Sequence, residues 1–520
     1  MTDILFGQSY FLRFDPKLWE AMQPYPPLGT LYAASYMRSR GYQVALFDAM
    51  LAETEEEWAQ ALDKHQPRLA VLYEDNFNYL SKMCLLRMRQ AAFTMIQMAR
   101  QRGCTVIVCG ADATDHAAMY IEQGANFVLF GEGEYTLAEL VDHLSGRNET
   151  PLDQILGLAW QDDSSDSPLH TTMRRPDIRD LDGLPFPAWD LVDISHYRQI
   201  WLERHGYYAM NMVTTRGCHF HCNWCAKPIW GQRYHSRSPE NAIAEMKWLQ
   251  QNYHPDFIWF VDDIFGLKPG WIPRFAELAQ SEDVHIPFKC LKRADLLLHP
   301  GEVEALKQAG ASIVWIGAES GSQKILDAMD KGTRIEQIYQ ATRDLHAAGL
   351  RVGFFLQFGY PGEDRQDIEK TLQMVRDCQP DDIGMSVSYP LPGTLFYQAI
   401  SQQLGVRQNW YASDDMAMLY QGPYSTAFYR QLHKVLHTEF RQRKAWHRLN
   451  SPTRPSDGTP GVEKPSSPAR SLVKLFYYTA RLPLERWRLE RLARQPHQGI
   501  GPLPPLMKPE EAAQASPQLE

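Results

Sequence analysis

Three cysteines, Cys218, Cys222 and Cys225, stand within eight residues in the run RGCHFHCNWC. A structural zinc site is closed by four ligands that usually come as two separated pairs, and this spacing supplies neither. Three thiolates can instead hold three irons of a cubane cluster, which ordinarily takes four cysteines. The missing fourth ligand then reads as an open position for substrate or cosubstrate. His219 and His221 lie between the cysteines, where a loop favours solvent-facing positions over metal ligation. Carboxylates stand at the ends of later apolar runs, Asp262 and Asp263 in DFIWFVDD and Glu319 in SIVWIGAE. Cys290 reads as core packing before it reads as a second reactive thiol. Cys84, Cys104, Cys109 and Cys378 have no spacing that suggests a second cluster.

Such residues need a scaffold, and the apolar runs supply one. Over residues 207–410 six runs, YYAMNMVTT, DFIWFVDD, PFKCLKR, SIVWIGAE, RVGFFLQFG and DDIGMSVSYP, each precede a loop and a helical pattern such as PENAIAEMKWLQQN. Six βα repeats predict a partial parallel (β/α)6 barrel of TIM type, in which residues just after each strand face one common site. Those residues are the three cysteines, then Asp262 and Asp263, Arg293 and Asp295, Glu319 and Ser320, Gly359 to Gly362, and Pro390 to Gly393.

Residues 1–145 alternate in the same way. DILFGQ, a helix over 28–40, YQVALFDA, RLAVLYED, a helix around 87–102, TVIVCGAD and NFVLFGEGE predict a doubly wound, Rossmann-like α/β sheet. The loops at its strand ends are where such sheets bind ligands. Gly110, Gly131 and Gly133 fall at strand-to-helix turns, where backbone can approach a large flat ligand; plain tight turns are the alternative. Residues 146–206, rich in Asp, Ser and Pro, read as a linker. Residues 411–450 read as a helical extension, and 451–520 as a flexible tether, a basic amphipathic segment and a Pro-rich tail.

Composition bounds the function class. With 520 residues and 44% hydrophobic content the chain can bury two or three cores. A formal charge of -9 argues against a nucleic-acid partner. Eight cysteines make no disulfide scaffold, and MTDILFGQSYF lacks the basic flank and long apolar core of a signal peptide, so a reducing, cytoplasmic setting is expected. No run approaches the ~18 apolar residues of a membrane span.

The order TTRGCHFHCNWC, FVDDIFG, IGAESGSQKIL, FGYPGE and YPLPGT resembles the cobalamin-dependent branch of the radical S-adenosylmethionine (SAM) enzymes. PYPPLGTLYAASYMRSRGYQVALFDA, CGADAT and FGEGEYTLAEL resemble the cobalamin-binding domain that precedes the barrel in that branch. The two resemblances cover about three quarters of the chain. They imply that Cys218, Cys222 and Cys225 ligate a [4Fe-4S] cluster whose open iron takes the amino and carboxylate groups of SAM, and that one electron then cleaves SAM to a 5′-deoxyadenosyl radical. They place the adenine near Trp224. They also put Asp262 or Asp263 where relatives carry a Gly-Gly-Glu strand end that receives the methionyl amine, and make Glu319 a fourth-strand contact to SAM. Read as residues alone, the two aspartates could cap the following helix, and Glu319 could pair with Arg293.

The resemblance further implies bound cobalamin around Gly110, Gly131 and Gly133. No DxHxxG occurs, so no histidine is placed beneath cobalt, and LYEDNFNYL stands where small hydroxyl residues are usual. The implied reaction is C-methylation of an unactivated carbon, with an anaerobic oxidative cyclase of the tetrapyrrole type or a non-catalytic cobalamin or redox sensor as alternatives. A methylthiolating tRNA enzyme fits less well, because no additional cluster domain or basic RNA-binding module is visible. The implied partners are a small-molecule or lipid substrate and an external electron donor such as flavodoxin or ferredoxin.

Residues 471–495 add an expected peripheral contact with the inner membrane surface. Around them Arg470, Lys474, Arg481, Arg486, Arg488, Arg491 and Arg494 outnumber Glu485 and Glu490, while Leu472, Leu475, Phe476, Tyr477 and Trp487 supply apolar and aromatic contact. Pro483 is expected to break the segment into two short helices. The alternative is a helix packed on the protein itself or on a partner.

Overall fold

The computed structural model describes residues 2–83, 85–162, 167–225, 229–231, 233–406, 408–413, 416–450, 467–495, 497, 499, 501 and 503. The chain divides into two compact units. One comprises Met1–His219, Lys227–Cys290 and Asn409–Asp415, the other Phe220–Ala226, Leu291–Gln408 and Met416–Glu520.

The first unit is built on a seven-stranded sheet of β1 (Ile4–Gly7), β2 (Val44–Leu46), β3 (Leu69–Tyr73), β4 (Thr105–Cys109), β5 (Phe127–Leu129), β6 (Leu158–Trp160) and β7 (His170–Thr171), in the order β2-β1-β3-β4-β5-β6-β7. The first five strands are parallel, and their 2-1-3-4-5 order is a doubly wound one. Successive side chains of a strand point to opposite faces. Leu5, Ala70, Leu72, Val106 and Val108 accordingly pack with Trp58, Met95 and Ile96 in one core, while Ile4, Phe6, Val71, Ile107 and Leu129 pack with Ala33, Met37, Leu137 and Val141 in another. Burial on both faces is why these runs are continuously apolar.

β6 and β7 come from the stretch read as a linker. β6 pairs antiparallel with β5 through Val128 and Ala159, and β7 pairs antiparallel with β6. Their apolar run is only Leu158–Trp160, too short to stand out beside the surrounding Asp, Ser and Pro.

The six predicted barrel strands are present as β8 (Ala209–Met212), β9 (Phe257–Phe260), β10 (Phe288–Lys292), β11 (Ala311–Glu319), β12 (Arg351–Phe358) and β13 (Asp382–Val387), in the order β13-β12-β11-β10-β9-β8. Pairing is parallel between β8 and β9, β9 and β10, β11 and β12, and β12 and β13. Consecutive parallel neighbours make the half-barrel that the βα repeat predicts. Cys290 in β10 is fully buried, as core packing requires.

In the second unit the helices Thr426–Asn450 and Pro468–Ala493 pack together. Pro483 does not split the second of them, contrary to expectation. Ties to the first helix bracket the proline: Gln442 to Thr479 at 2.9 Å, Gln431 to Glu485 at 2.6 Å and Arg486 to Glu439 at 2.7 Å. These contacts, with the burial of Leu489, outweigh the one backbone bond that proline removes. The tether expected over 451–471 lies outside the described residues up to 466, and its last residues instead open the helix Pro468–Ala493; most of the tail after 496 also lies outside the described residues. Among the described residues no helix is long and apolar enough to cross a membrane.

Candidate functional site

In the first unit a two-strand ribbon, Thr215–Arg216 against His235–Ser236, holds the base of the cysteine loop. Gly217 follows with φ +76, and a Cβ there would collide with the Arg233 carbonyl oxygen, so the residue between Arg216 and Cys218 must be glycine. Arg216 is buried and donates to Glu132 at 2.8 Å and to Glu134 at 2.7 Å, with its guanidinium near the rings of Tyr32 and Phe77. Burial works against the Arg216 charge, and Glu134 and Glu132 more than offset it, holding its pKa above the ordinary arginine value. Burial also pushes the Glu132 carboxyl up, against the pull of Arg216. Neither the arginine nor the two glutamates of FGEGE carries a spacing signal.

Asp262 is buried and accepts four hydrogen bonds, from Thr214 N at 2.7 Å, Thr214 Oγ1 at 2.8 Å, Thr215 N at 2.7 Å and Thr215 Oγ1 at 2.9 Å. Desolvation nevertheless lifts its pKa to about 6. Asp263 pairs with Lys82 at 3.0 Å, and the Lys82 ammonium also lies 4.9 Å from the centre of the Trp230 ring. Both acids are thus engaged by groups of their own unit. Neither caps the next helix, Trp271–Ser281, whose N-cap is Gly270.

The three glycines expected to face a flat ligand are each closely approached by a side chain of their own unit. A Cβ on Gly110 would lie 2.8 Å from Glu74 Cβ and Cγ, one on Gly133 would lie 2.5 Å from Cys109 Sγ, and one on Gly131 would lie 2.9 Å from Arg174 Nε. Other residues at these strand ends have unmet needs. Asn76 Oδ1 and Ser81 Oγ, after β3, are buried without a hydrogen-bond partner among the described residues. An unmet buried polar group costs about 1–3 kcal/mol, so such a set fits a ligand edged with amide groups, as a corrin is.

In the second unit Cys222 is buried and Cys225 half-buried; Cys218, in the first, is buried. Asn223 anchors the segment between Cys222 and Cys225. Its backbone N donates to Met329 O at 3.1 Å, its Nδ2 donates to Ala328 O at 2.8 Å, its Oδ1 accepts from Tyr360 OH at 2.9 Å, and its carbonyl accepts from Phe396 N at 3.0 Å. Trp224 packs against the cluster of Ile325, Met329, Tyr360 and Phe396, and its Nε1 has no hydrogen-bond partner among the described residues. Among the described residues no three His, Cys, Asp or Glu side chains are grouped as ligands of one ion. In a cubane each thiolate binds its own iron.

Glu319 ends β11 at a bulge, with φ 55. It pairs with Lys331 at 2.7 Å, not with Arg293, whose partner is Asp295 and whose guanidinium covers the Phe220 ring at 3.6 Å. Gly317 makes room for the pair, since a Cβ there would lie 2.8 Å from both Glu319 Oε1 and Lys331 Nζ. Burial disfavours the Lys331 charge, but Glu319 and the neighbouring Cys222 hold its pKa above the ordinary lysine value. Lys331, in MDKGT, was not visible in the sequence, because it lies twelve residues past Glu319 across a helix.

Residues 212–375 match the sequence family described as the Radical SAM superfamily. This segment is a radical SAM domain. The chain is 27% identical over 393 residues to the "Uncharacterized methyltransferase PH0819" of Pyrococcus horikoshii, covering 74% of this chain and 81% of that one. It is 24% identical over 441 residues to the anaerobic magnesium-protoporphyrin IX monomethyl ester cyclase of Synechocystis sp., covering 83% and 85%. Its fold is similar to that of the cobalamin-dependent SAM radical enzyme OxsB with aqua-cobalamin and SAM bound, with a TM-score of 0.69 at 18% identity, covering 94% of this chain and 72% of that one. At that identity the likeness is one of fold. With this domain and methyltransferase-named relatives the chain is an enzyme, which sets aside the non-catalytic sensor.

Proposed function

We propose that the protein is a cobalamin-dependent radical SAM methyltransferase acting on an unactivated carbon of a small-molecule or lipid substrate. The cysteine loop carries this reading: three cysteines at the spacing of Cys218, Cys222 and Cys225, with Asn223 anchoring the segment between the last two and a buried Glu319–Lys331 pair beside Cys222. When bound, the cluster and SAM supply a 5′-deoxyadenosyl radical, and cobalamin supplies a transferable methyl group.

Each residue has a place in this scheme. Cys218, Cys222 and Cys225 hold the cluster. Lys331 and Glu319 present opposite charges in a desolvated setting, which suits the carboxylate and ammonium of the methionyl group. Trp224 offers an apolar face to the adenine. Asn76 and Ser81 offer hydrogen bonds to corrin amides, and no histidine imidazole is expected on cobalt. An external one-electron donor such as flavodoxin or ferredoxin completes the set, together with a cytoplasmic location and peripheral membrane contact through residues 471–495.

Oxidative ring formation is a second reading, favoured by the similarity to a named cyclase over 83% of this chain. Anaerobically reconstituted and reduced protein, incubated with SAM and hydroxocobalamin, tests both. Release of 5′-deoxyadenosine with one bound cobalamin, and a Co(II) resonance spectrum without nitrogen splitting from a protein histidine, supports the methyltransferase. Cleavage of SAM with no cobalamin retained shifts the reading to a reaction that needs no methyl donor. No SAM cleavage under any reconstitution sinks the assignment.

A further inference from the structure

We propose that the helix Pro468–Ala493 docks the protein on an anionic lipid bilayer through an apolar stripe on its outward face. This rests on the peripheral contact stated above and gives that contact its residues and its orientation. Ser471, Glu485 and Leu489 are buried and turn one side of the helix inward, where Gln431 and Glu439 of the helix Thr426–Asn450 hold Glu485 and Arg486. On the other side Val473 and Phe476 are 69% exposed, Trp487 58%, Tyr477 53% and Leu484 48%. At ~100° per residue these five fall within an arc of roughly 100° opposite the buried side.

The stripe is continuous because Pro483 leaves the helix whole, so its two ends lie on one face. An isolated apolar patch of this size on a water-facing helix marks an interaction site. Charge selects the partner. Arg470, Lys474, Arg481 and Arg488 follow one edge of the stripe, and Arg491 stands at its C-terminal end beside the Trp487 ring. Arg481 and Arg488 share Glu485, and Glu490 is engaged by Arg365, so the edge keeps a net positive charge. Long cationic side chains with apolar stems can reach headgroups while the stripe enters the acyl boundary, and Trp and Tyr favour that depth. The structure therefore fits a flat, negatively charged, deformable surface, with the helix axis in the membrane plane.

The test uses the full chain and sedimentation with vesicles of phosphatidylcholine alone or with 30% phosphatidylglycerol. Wild type is expected to sediment with the anionic vesicles at least tenfold more than with the neutral ones. Phe476→Ser/Trp487→Ser should reduce that binding tenfold or more, and Arg470→Gln/Lys474→Gln should reduce it while lowering its salt sensitivity. All variants should keep the wild-type circular dichroism spectrum and SAM cleavage, because these side chains are exposed. Equal binding by wild type and the Phe476/Trp487 variant overturns the proposal, as does no binding by wild type. A dimer that the Phe476/Trp487 variant converts to monomer would reassign the stripe to a contact between copies of the chain. SAM cleavage is read in the same preparations, so failure of docking and failure of the enzyme assignment are separate results.

Discussion

Arg216 and Glu134 are bonded at 2.7 Å with both side chains buried, two residues before the first cysteine of the cluster loop. Glu132 takes the other guanidinium nitrogen at 2.8 Å. One arginine thus fixes the loop after β5 to the base of the cysteine loop. Breaking a buried pair by removing one partner leaves an uncompensated charge, at about 3–5 kcal/mol. Arg216→Gln is therefore expected to lower unfolding free energy by about that amount and to lower iron retention. Glu132→Gln/Glu134→Gln in the same background should recover most of the stability. Denaturant titration of the four proteins of this cycle checks the coupling, and additive losses would mean the bonds are not cooperative.

The cysteine assignment makes a sharper demand. Cys218→Ala, Cys222→Ala and Cys225→Ala should each abolish both the cluster absorbance and 5′-deoxyadenosine formation, whereas Cys104→Ala should change neither. Full cleavage by any one of the three variants would remove the assignment. Asn223→Ala is expected to fall between these extremes. It removes the side-chain bonds to Ala328 O and from the Tyr360 hydroxyl, which keep their own bond to each other at 3.0 Å, so the loss is about 0.5–1.5 kcal/mol per bond, and it should raise the rate of iron loss to a chelator.

Strand positions were legible because each of the five parallel strands of the first sheet and the six of the second is an apolar run bounded by turn residues. β6 and β7 were not, since three and two residues carry no periodicity. The cysteine triad could be read from local spacing. The partners of the other site residues could not, because they depend on distant chain segments: Asp262 meets Thr214 and Thr215 from 47–48 residues away, and Lys82 reaches Asp263 across 181. Arg293 illustrates the same limit at short range. Both Asp295 and Glu319 were plausible partners by chemistry, and only the turn after β10 selects Asp295.

The Glu319–Lys331 pair separates a structural role from a binding one. Lys331→Met should destabilise the protein by about 3–5 kcal/mol by stranding a buried carboxylate. Lys331→Met/Glu319→Gln removes both charges and should regain most of that stability. If the pair receives the methionyl group, the double variant should still bind SAM at least tenfold more weakly than wild type by equilibrium dialysis, with the cluster intact. Wild-type affinity in the double variant would leave the pair a purely structural one.

Glu363 predicts a pH dependence that can be checked without any cofactor. It is buried after β12, accepts from Gly359 N at 2.7 Å and from the Tyr429 hydroxyl at 3.4 Å, and leaves Oε1 without a partner. Burial pushes its pKa up to about 8, outweighing the Gly359 bond, while Asp367 and Asp364 add to the rise. The folded protein therefore keeps a proton that the unfolded chain releases near pH 4.5, the ordinary glutamate value. Between those two pKa values the folded state binds more protons than the unfolded one, so stability falls as pH rises. The contribution is fully present below about pH 4.5 and is lost as pH climbs through about 8. The limiting slope for one group is about 1.4 kcal/mol per pH unit. Glu363→Gln keeps the shape and the acceptor for Gly359 but carries no proton to lose. Its unfolding free energy, measured by denaturant titration at pH 5, 6, 7 and 8, should fall less steeply with pH than that of wild type, with the difference largest at pH 8. Parallel profiles would mean that Glu363 ionises at its ordinary value and that its burial is relieved by water.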